Sequence, residues 1–463
     1  MPCALAALLL ALCLLGCGSR DVPDAASFSP SGVRVLLVGI DGATFKVLEP
    51  LAAAGRLPSL AGLMARGSFA PLRSLDPSRS PAIWTTVATG HLPATHGIED
   101  FISRQGGTPE QPSLVTARDR RVLSLWNIAS AAGRSVDVVG WWVTWPAEPV
   151  SGRLVSDRVA HTRWESWTGD RAERYLTSPA ALYAEIRELV VDPAELDTSE
   201  IEKLAPLSQE ERRELLDARE PIPFHWPSVL KFGWAEQRSY EKIALHLLAS
   251  GQPDLALVFL IAVDPASHTT WHYYEPERFE GVDPADAKRL GKLIPKLYEH
   301  DDAVLARLLE RVDEDTVVLV VSDHGFRASG ELPGSTNRVD MRPLGIEREQ
   351  SLERPVNVGM SGVHARNGIL IAAGGPILAA AHFDPQPGVA DVTPTVLALL
   401  GLPVGEDMDG RVLTEMIDPG FLARHPVQRI ASWEDVVERP ALPGPDDDPG
   451  ARTEYLRALG YFE

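Results

Sequence analysis

The chain has 463 residues, 44% of them hydrophobic, and a formal net charge of −20. Length and composition are those of a globular protein with a large core in one or two domains. The acidic balance argues against electrostatic binding to nucleic acid or to an anionic membrane surface, but not against a small anionic substrate, because bound metal ions can reverse the local field.

The first element is apolar. Ala4 to Leu15 is too short to span a bilayer and suits the core of a signal peptide. No Lys or Arg precedes it. It runs into Leu14-Leu15-Gly16-Cys17, which resembles a bacterial lipoprotein processing box. The resemblance implies that 1–17 is a lipoprotein signal and that Cys17 is lipidated. The protein would then be extracytoplasmic, in the periplasm or at the cell surface, and held to the membrane only through that lipid. An ordinary secretory signal or a buried N-terminal helix are the other readings of the same residues. All three cysteines (Cys3, Cys13, Cys17) lie in this leader, so a mature chain would hold no disulfide and no cysteine metal site. Residues 18–32 are small, polar and proline-containing, and read as a tether.

Strand and helix patterns alternate from there. The run 33–41 reads as a strand, followed by a helix around 48–66 that ends near Gly67. Ser80-Pro81 opens a further helix to Thr89, stopped by Gly90, because proline is pre-shaped for the first helical position. A helix over 121–133 and a strand over 135–140 follow. Residues 158–235 break the rhythm, with charged helical stretches such as Ser208 to Glu220. Seven of the eleven tryptophans fall between 141 and 234. This segment reads as an inserted helical cap over the strand ends, in which Trp164, Trp167, Trp226 and Trp234 either face the ends of the strands or pack the cap's own core. The alternation resumes with helix 236–250, strand 255–264, helix 285–311, strand 316–323, strand 368–373 and helix 392–400. Residues 437–463 read as a linker and a short docking helix. Alternating β and α favours a mostly parallel central sheet with helices on both faces, a three-layer α/β/α domain spanning 33–157 and 236–436.

Three of the apolar strand runs end in an aspartate: Asp41, Asp264 and Asp323. In open α/β sheets, ligands bind just outside the carboxyl ends of the strands. His268 lies four residues after Asp264, His324 directly follows Asp323, and His364 sits in the glycine-flanked loop 362–368 before a strand. Oxygen and nitrogen ligands gathered this way suit divalent metals, zinc most readily. A single loop histidine is more often a surface or hydrogen-bonded residue; it is the combination at strand ends that points to a metal site. Ser80, at a helix N-cap, sits where backbone N–H groups converge and the dipole favours negative charge, though a plain capping serine is the other reading.

The segment Ser80-Pro81-Ala82-Ile83-Trp84-Thr85-Thr86-Val87-Ala88-Thr89-Gly90, continuing to His96-Gly97-Ile98, resembles the nucleophile segment of the alkaline phosphatase superfamily. Asp41-Gly42, Asp264 to His268, Asp323-His324-Gly325 and His364 follow the same motif order. Val143-Thr144-Trp145-Pro146 and Asp409-Gly410-Arg411 look like the type I phosphodiesterase/nucleotide pyrophosphatase branch. The resemblance implies an alkaline-phosphatase-like fold and two zinc ions, one held by Asp264, His268 and His364, the other by Asp41, Asp323, His324 and the hydroxyl of Ser80. It implies in-line attack by Ser80 on phosphorus, through a phospho-serine intermediate that is then hydrolysed.

Two positions depart from the pattern. Nucleotide pyrophosphatases often carry an asparagine three residues after the nucleophile; here that residue is Ile83. Leu75-Asp76-Pro77-Ser78-Arg79 is faintly similar to a sulfatase signature, but Leu75 stands where formylglycine would form. Arg79 could touch a substrate anion or stand as a solvated surface charge, and Trp271 is a further candidate substrate contact. The reading is a metal-dependent phosphohydrolase acting on a small phosphate ester, a phosphodiesterase before a monoesterase. The alternatives are a phosphonate hydrolase or phosphoryl transferase of the same superfamily, or a non-catalytic binding lipoprotein.

Overall fold

Continuous runs of Val, Ile and Leu form the centre of the sheet, because strands buried on both faces need apolar side chains at every position. The computed structural model describes residues 24–107, 112–163, 173–219, 225–329 and 360–443. Its strands are β1 (Val35–Ile40), β2 (Ser68–Arg73), β3 (Ile102–Gly107), β4 (Pro112–Leu114), β5 (Val136–Val139), β6 (Gly152–Val155), β7 (Thr177–Ser178), β8 (Leu255–Leu260), β9 (Val317–Val321), β10 (Gly325–Ala328), β11 (Gly362–Ala365), β12 (Asn367–Ala373), β13 (Val404–Gly405) and β14 (Arg429–Ile430). Eight of them make one sheet in the order β2-β12-β9-β1-β8-β5-β6-β7. Strands β9, β1, β8, β5 and β6 pair in parallel. Strand β12 runs antiparallel between β2 and β9, and β7 is an antiparallel edge.

Alternation along each strand feeds two cores. Leu37, Leu257, Phe259, Leu319 and Val321 face helices Ser80–Thr89, Leu125–Ala131 and Val392–Leu399. Leu36, Val38, Val258, Leu260 and Val320 face helices Phe45–Ala53, Pro58–Arg66, Trp226–Ser250 and Leu293–Leu309. This is the expected three-layer α/β/α arrangement with a mostly parallel sheet. Two of the expected helices are each broken in two. The stretch 48–66 divides at Gly55, whose φ is +71°, and 285–311 divides at Gly291 into Pro284–Leu290 and Leu293–Leu309. Within the sheet β2, β6 and β7 were not anticipated, nor were the short strands β3, β4, β10, β11, β13 and β14 outside it, and β11 forms where a loop around His364 was expected. β2 carries Pro71 and alternates buried with exposed residues, as an edge strand does.

Among the described residues, the inserted segment forms no separate core. Leu182, Ile186, Ile201, Leu204 and Leu215 join the core on one face of the sheet, and Trp234 lies in that core too, on a helix that begins at Trp226 rather than at residue 236. Trp164 and Trp167 lie outside the described residues, as do Cys17 and the expected docking helix. The tether expected over 18–32 is docked from Asp24 on: Phe28 packs edge-on against Trp433 and Ser31 donates to the Leu399 carbonyl. Likewise Pro443, within the expected linker, accepts from Arg118. No helix among the described residues is long and apolar enough to cross a membrane.

Buried polar groups tie the helices together. Glu241, fully buried, accepts from Arg238, His300 and Arg307. Asp302 accepts from the N–H groups of Ser59 and Leu60 and so caps helix Pro58–Arg66 from another element. Its neighbour Asp301 is 1% exposed, and burial pushes its carboxyl up to about 7 from 3.8. A carboxyl raised in the folded state stabilises the fold below its unfolded value, and that contribution is lost as the pH rises through the folded value. Asp301→Asn should therefore melt higher than wild type at pH 8. Its advantage should shrink by about 1 kcal/mol or more as the pH falls to 4. A stability difference that does not change between pH 4 and pH 8 would show that Asp301 titrates normally.

Candidate active site

Strands β1, β8 and β9 lie side by side with level registers, Gly39 standing between Phe259 and Val321. The residues just past their carboxyl ends therefore meet. Asp41 follows Ile40 and continues the ladder by donating its N–H to the Leu260 carbonyl. Ser322-Asp323-His324 follow Val321. The third run behaves differently from the expectation: the strand stops at Leu260, the chain turns at Ile261–Ala262, and Asp264 sits in the first turn of helix Val263–Tyr274. His268 is then one helical turn away on the same face, with Nε2 3.5 Å from Asp264 Oδ1.

His364 arrives from β11, which pairs antiparallel with β10 so that His364 faces Phe326. This lays the His364 ring on that of His324, centroids 3.5 Å apart. Phe326 packs edge-on against His268, His324 and His364 at 4.8, 5.5 and 5.4 Å and stacks on Trp271. Phe326 was not singled out from the sequence, since nothing in an aromatic residue after Asp-His-Gly marks it as a packing centre. Gly42 makes room for it: with φ +73°, a Cβ there would lie 2.5 Å from the Phe326 ring.

The imidazoles are oriented. Nδ1 of His268 donates to Gly362 O, that of His324 to Gly325 O and that of His364 to Ser78 O, at 3.0, 3.2 and 3.1 Å. In the neutral rings these bonds leave Nε2 as a lone pair aimed inward. His324 Nε2 lies 3.6 Å from Asp41, 3.6 Å from Asp264 and 3.3 Å from Asp323. His364 Nε2 lies 3.5 Å from Asp264 and 2.9 Å from His268 Nε2. Two lone pairs at that separation repel unless a proton or a cation stands with them. Burial opposes the proton, lowering His268 to about 4 and His324 well below its usual value.

The carboxylates ask for positive charge as well. Burial, then repulsion from Asp323 and Asp264, raises Asp41 well above its usual range, and burial raises Asp323 to about 7. Both oxygens of Asp41 and of Asp264, Oδ2 of Asp323 and Nε2 of His324 are buried without a hydrogen-bond partner among the described residues. Ligand atoms of Asp264, His324 and His364, and of Asp41, Asp323 and His324, lie within 4.8 Å of one another in two groups that share His324. A donor set of carboxylate oxygens and imidazole nitrogens, orphaned and converging, fits divalent cations.

Ser80 is the first residue of helix Ser80–Thr89 rather than its cap, a position held by Arg79. Its Oγ is fully buried and has no hydrogen-bond partner among the described residues. Ser78, by contrast, donates to Leu75 O. The bond from His364 to Ser78 O joins this segment to the histidines. Ile83 points into the core, 0% exposed, so it supplies no polar group to the site. The Arg79 side chain is one-third exposed and 3.9 Å from Asp100, consistent with a loosely paired surface charge. Trp271 does not match the expected substrate contact: it is fully buried, its Nε1 donates to Glu275, and its ring supports Phe326.

The sequence matches the family model described as type I phosphodiesterase / nucleotide pyrophosphatase over residues 35–337, well over half of the chain. The chain belongs to that family. The match takes in Asp41, Ser80, Asp264, His268, Asp323 and His324, while His364 lies beyond it. No curated protein matches the chain in sequence. Among solved structures it is similar to phosphonoacetate hydrolase from Sinorhizobium meliloti 1021, at 19% identity over 65% of this chain with a TM-score of 0.37. This chain covers 57% of that one. It is also similar to human ectonucleotide pyrophosphatase / phosphodiesterase 5, at 12% identity over 81% of this chain and 97% of that one, TM-score 0.44. A mutant of the alkaline phosphatase PafA matches at 13% identity over 84% and 99%, TM-score 0.45. The family assignment rests on the sequence match.

The raised carboxyls carry a consequence for binding. Near pH 6.5 the coupled pair Asp41 and Asp323 should retain a proton in the metal-free protein, and a cation should drive it off. Zinc titrations in buffers of different ionisation enthalpy should then give buffer-dependent heats, with proton release falling towards pH 8. Heats that are independent of buffer at pH 6.5 would contradict this charge assignment.

Proposed function

We propose that the protein is a divalent-metal-dependent hydrolase of phosphate esters that acts on phosphodiesters through a covalent phospho-Ser80 intermediate. Family membership supports hydrolysis of phosphate esters. The observation that carries the finer reading is the buried Oγ of Ser80, without a hydrogen-bond partner among the described residues, on a segment bonded to His364, whose Nε2 converges with those of His268 and His324 on buried carboxylates. Asp264, His268 and His364 would hold one cation; Asp41, Asp323, His324 and the Ser80 hydroxyl would hold the other. Two such cations, when bound, supply positive charge to the attacking and leaving oxygens of an in-line displacement.

The chain's own groups do the rest. Ser80 Oγ forms the bond to phosphorus as the bond to the leaving oxygen breaks, and water later displaces the serine. The N-terminus of helix Ser80–Thr89 directs its positive dipole end at the phosphoryl oxygens, a role the residue at Ile83 does not share. The carbonyls of Gly362, Gly325 and Ser78 keep the three imidazoles in the tautomer with Nε2 facing inward. Burial of Asp41, Asp264, Asp323, His268 and His324 keeps water from around the charges and strengthens each interaction, while His364 stays partly exposed at the rim.

Ser80→Ala should lower turnover of phosphodiester substrates by several orders of magnitude while leaving metal content largely unchanged. Ser78→Ala should be mild. Acid-quenched wild type should yield a peptide phosphorylated at Ser80 by mass spectrometry, and a panel of mono- and diesters on the metal-loaded protein should show faster diester cleavage. An active Ser80→Ala variant would overturn the nucleophile assignment. Faster monoester cleavage would overturn the substrate class alone.

A further inference from the structure

Helix Val263–Tyr274 bears two of the expected metal ligands, yet no side chain of its own caps it: Ala262, at the cap position, makes no side-chain bond. The buried N–H of Ala262 donates instead to Oε1 of Gln237, 2.7 Å away in the middle of helix Trp226–Ser250. Gln237 is itself fully buried, and its amide nitrogen donates to Asp301 Oδ1 at 2.6 Å. The two bonds together fix the amide. Asp301 accepts at that oxygen, so the Gln237 NH₂ must face helix Leu293–Leu309 and its oxygen must face Ala262. The contact is close: a Cβ on Gly233, one turn before Gln237, would lie 3.3 Å from Pro265. The same helix Leu293–Leu309 also grips the other half of the site, where the Tyr298 hydroxyl accepts the N–H of Thr44, three residues after Asp41.

We propose that Gln237, oriented by Asp301, is the positioning residue for the metal-binding end of helix Val263–Tyr274. It fixes the turn at Ala262 and thereby the place where the Asp264 carboxylate meets His268, His324 and His364. This rests on the reading of those four residues as metal ligands. A buried N–H that loses its partner must find another or move. Asp264 is only two residues from Ala262, so a small shift of the turn takes its carboxylate out of register with histidines fixed by other elements. Groups that orient metal ligands from behind are commonly worth about 10- to 100-fold in affinity.

The test is zinc affinity of the full-length protein, read by competition with a chromophoric chelator, with far-ultraviolet circular dichroism to show that each variant is folded. Gln237→Leu should weaken one of two zinc ions about tenfold or more and leave the other within about threefold. Asp301→Asn keeps an oxygen to accept from Gln237 and should bind zinc as wild type does. The double variant Gln237→Glu with Asp301→Asn reverses the polarity of the second bond while keeping both, and should restore affinity to within about threefold, a rescue that general loosening of the core would not give. Should Gln237→Leu fail to fold, Asp301→Leu frees the amide to turn over and should weaken the same ion. Wild-type affinity for both ions in folded Gln237→Leu or Asp301→Leu would overturn the proposal. So would a double variant no better than Gln237→Leu. Wild type that binds no zinc would instead overturn the reading of the ligands themselves.

Discussion

Three carboxylates buried together need positive charge, and no Lys or Arg ion pair reaches them among the described residues. Every described ion pair of Asp41, Asp264 and Asp323 is with a histidine, and burial disfavours protonating two of those three rings. An isolated buried charge is far too costly to leave uncompensated, so such a group neutralises or finds a counter-ion. The elements around the site hold this unfavourable arrangement in place, and a divalent cation is the counter-ion proposed for it.

The holding is done by elements distant in sequence. Level registers of β1, β8 and β9 bring Asp41 and Asp323 together. The β10–β11 pair carries His364 over His324 and sets Phe326 among all three imidazoles. Ser322 accepts from the Ala43 N–H and donates to the His324 carbonyl, joining the two loops directly. Helix Leu293–Leu309 reaches the Asp41 loop through Tyr298, helix Pro58–Arg66 through Asp302 and the Asp264 turn through Gln237 and Asp301. Several N–H groups near the site are thus satisfied across the fold rather than by the nearest side chain, which ties ligand geometry to core packing.

The parts of this design that depend on local pattern could be seen in the sequence. Runs such as Val35–Ile40 and Val317–Val321 are apolar at every position, and only a strand covered on both faces accounts for that. The proposed ligand residues stood out because Asp and His are unusual directly after such runs. Where sequence reading went astray, a local cue was ambiguous. Leu255 to Val263 is one apolar run, yet the strand ends at Leu260 and a helix begins at Val263, since an apolar tripeptide fits either element. The burial of Trp271 under Phe326 depends on a strand more than fifty residues on. Phe326, Gln237 and Asp301 act only through partners on other helices and strands, and no spacing within the chain marks them.

The most direct measurement is anomalous diffraction at the zinc edge from crystals of the full-length protein grown with zinc. Two peaks per chain should appear, one among Asp264, His268 and His364 and the other among Asp41, Asp323 and His324. A single peak in this cluster, or zinc bound elsewhere with these carboxylates left empty, would contradict a two-cation site.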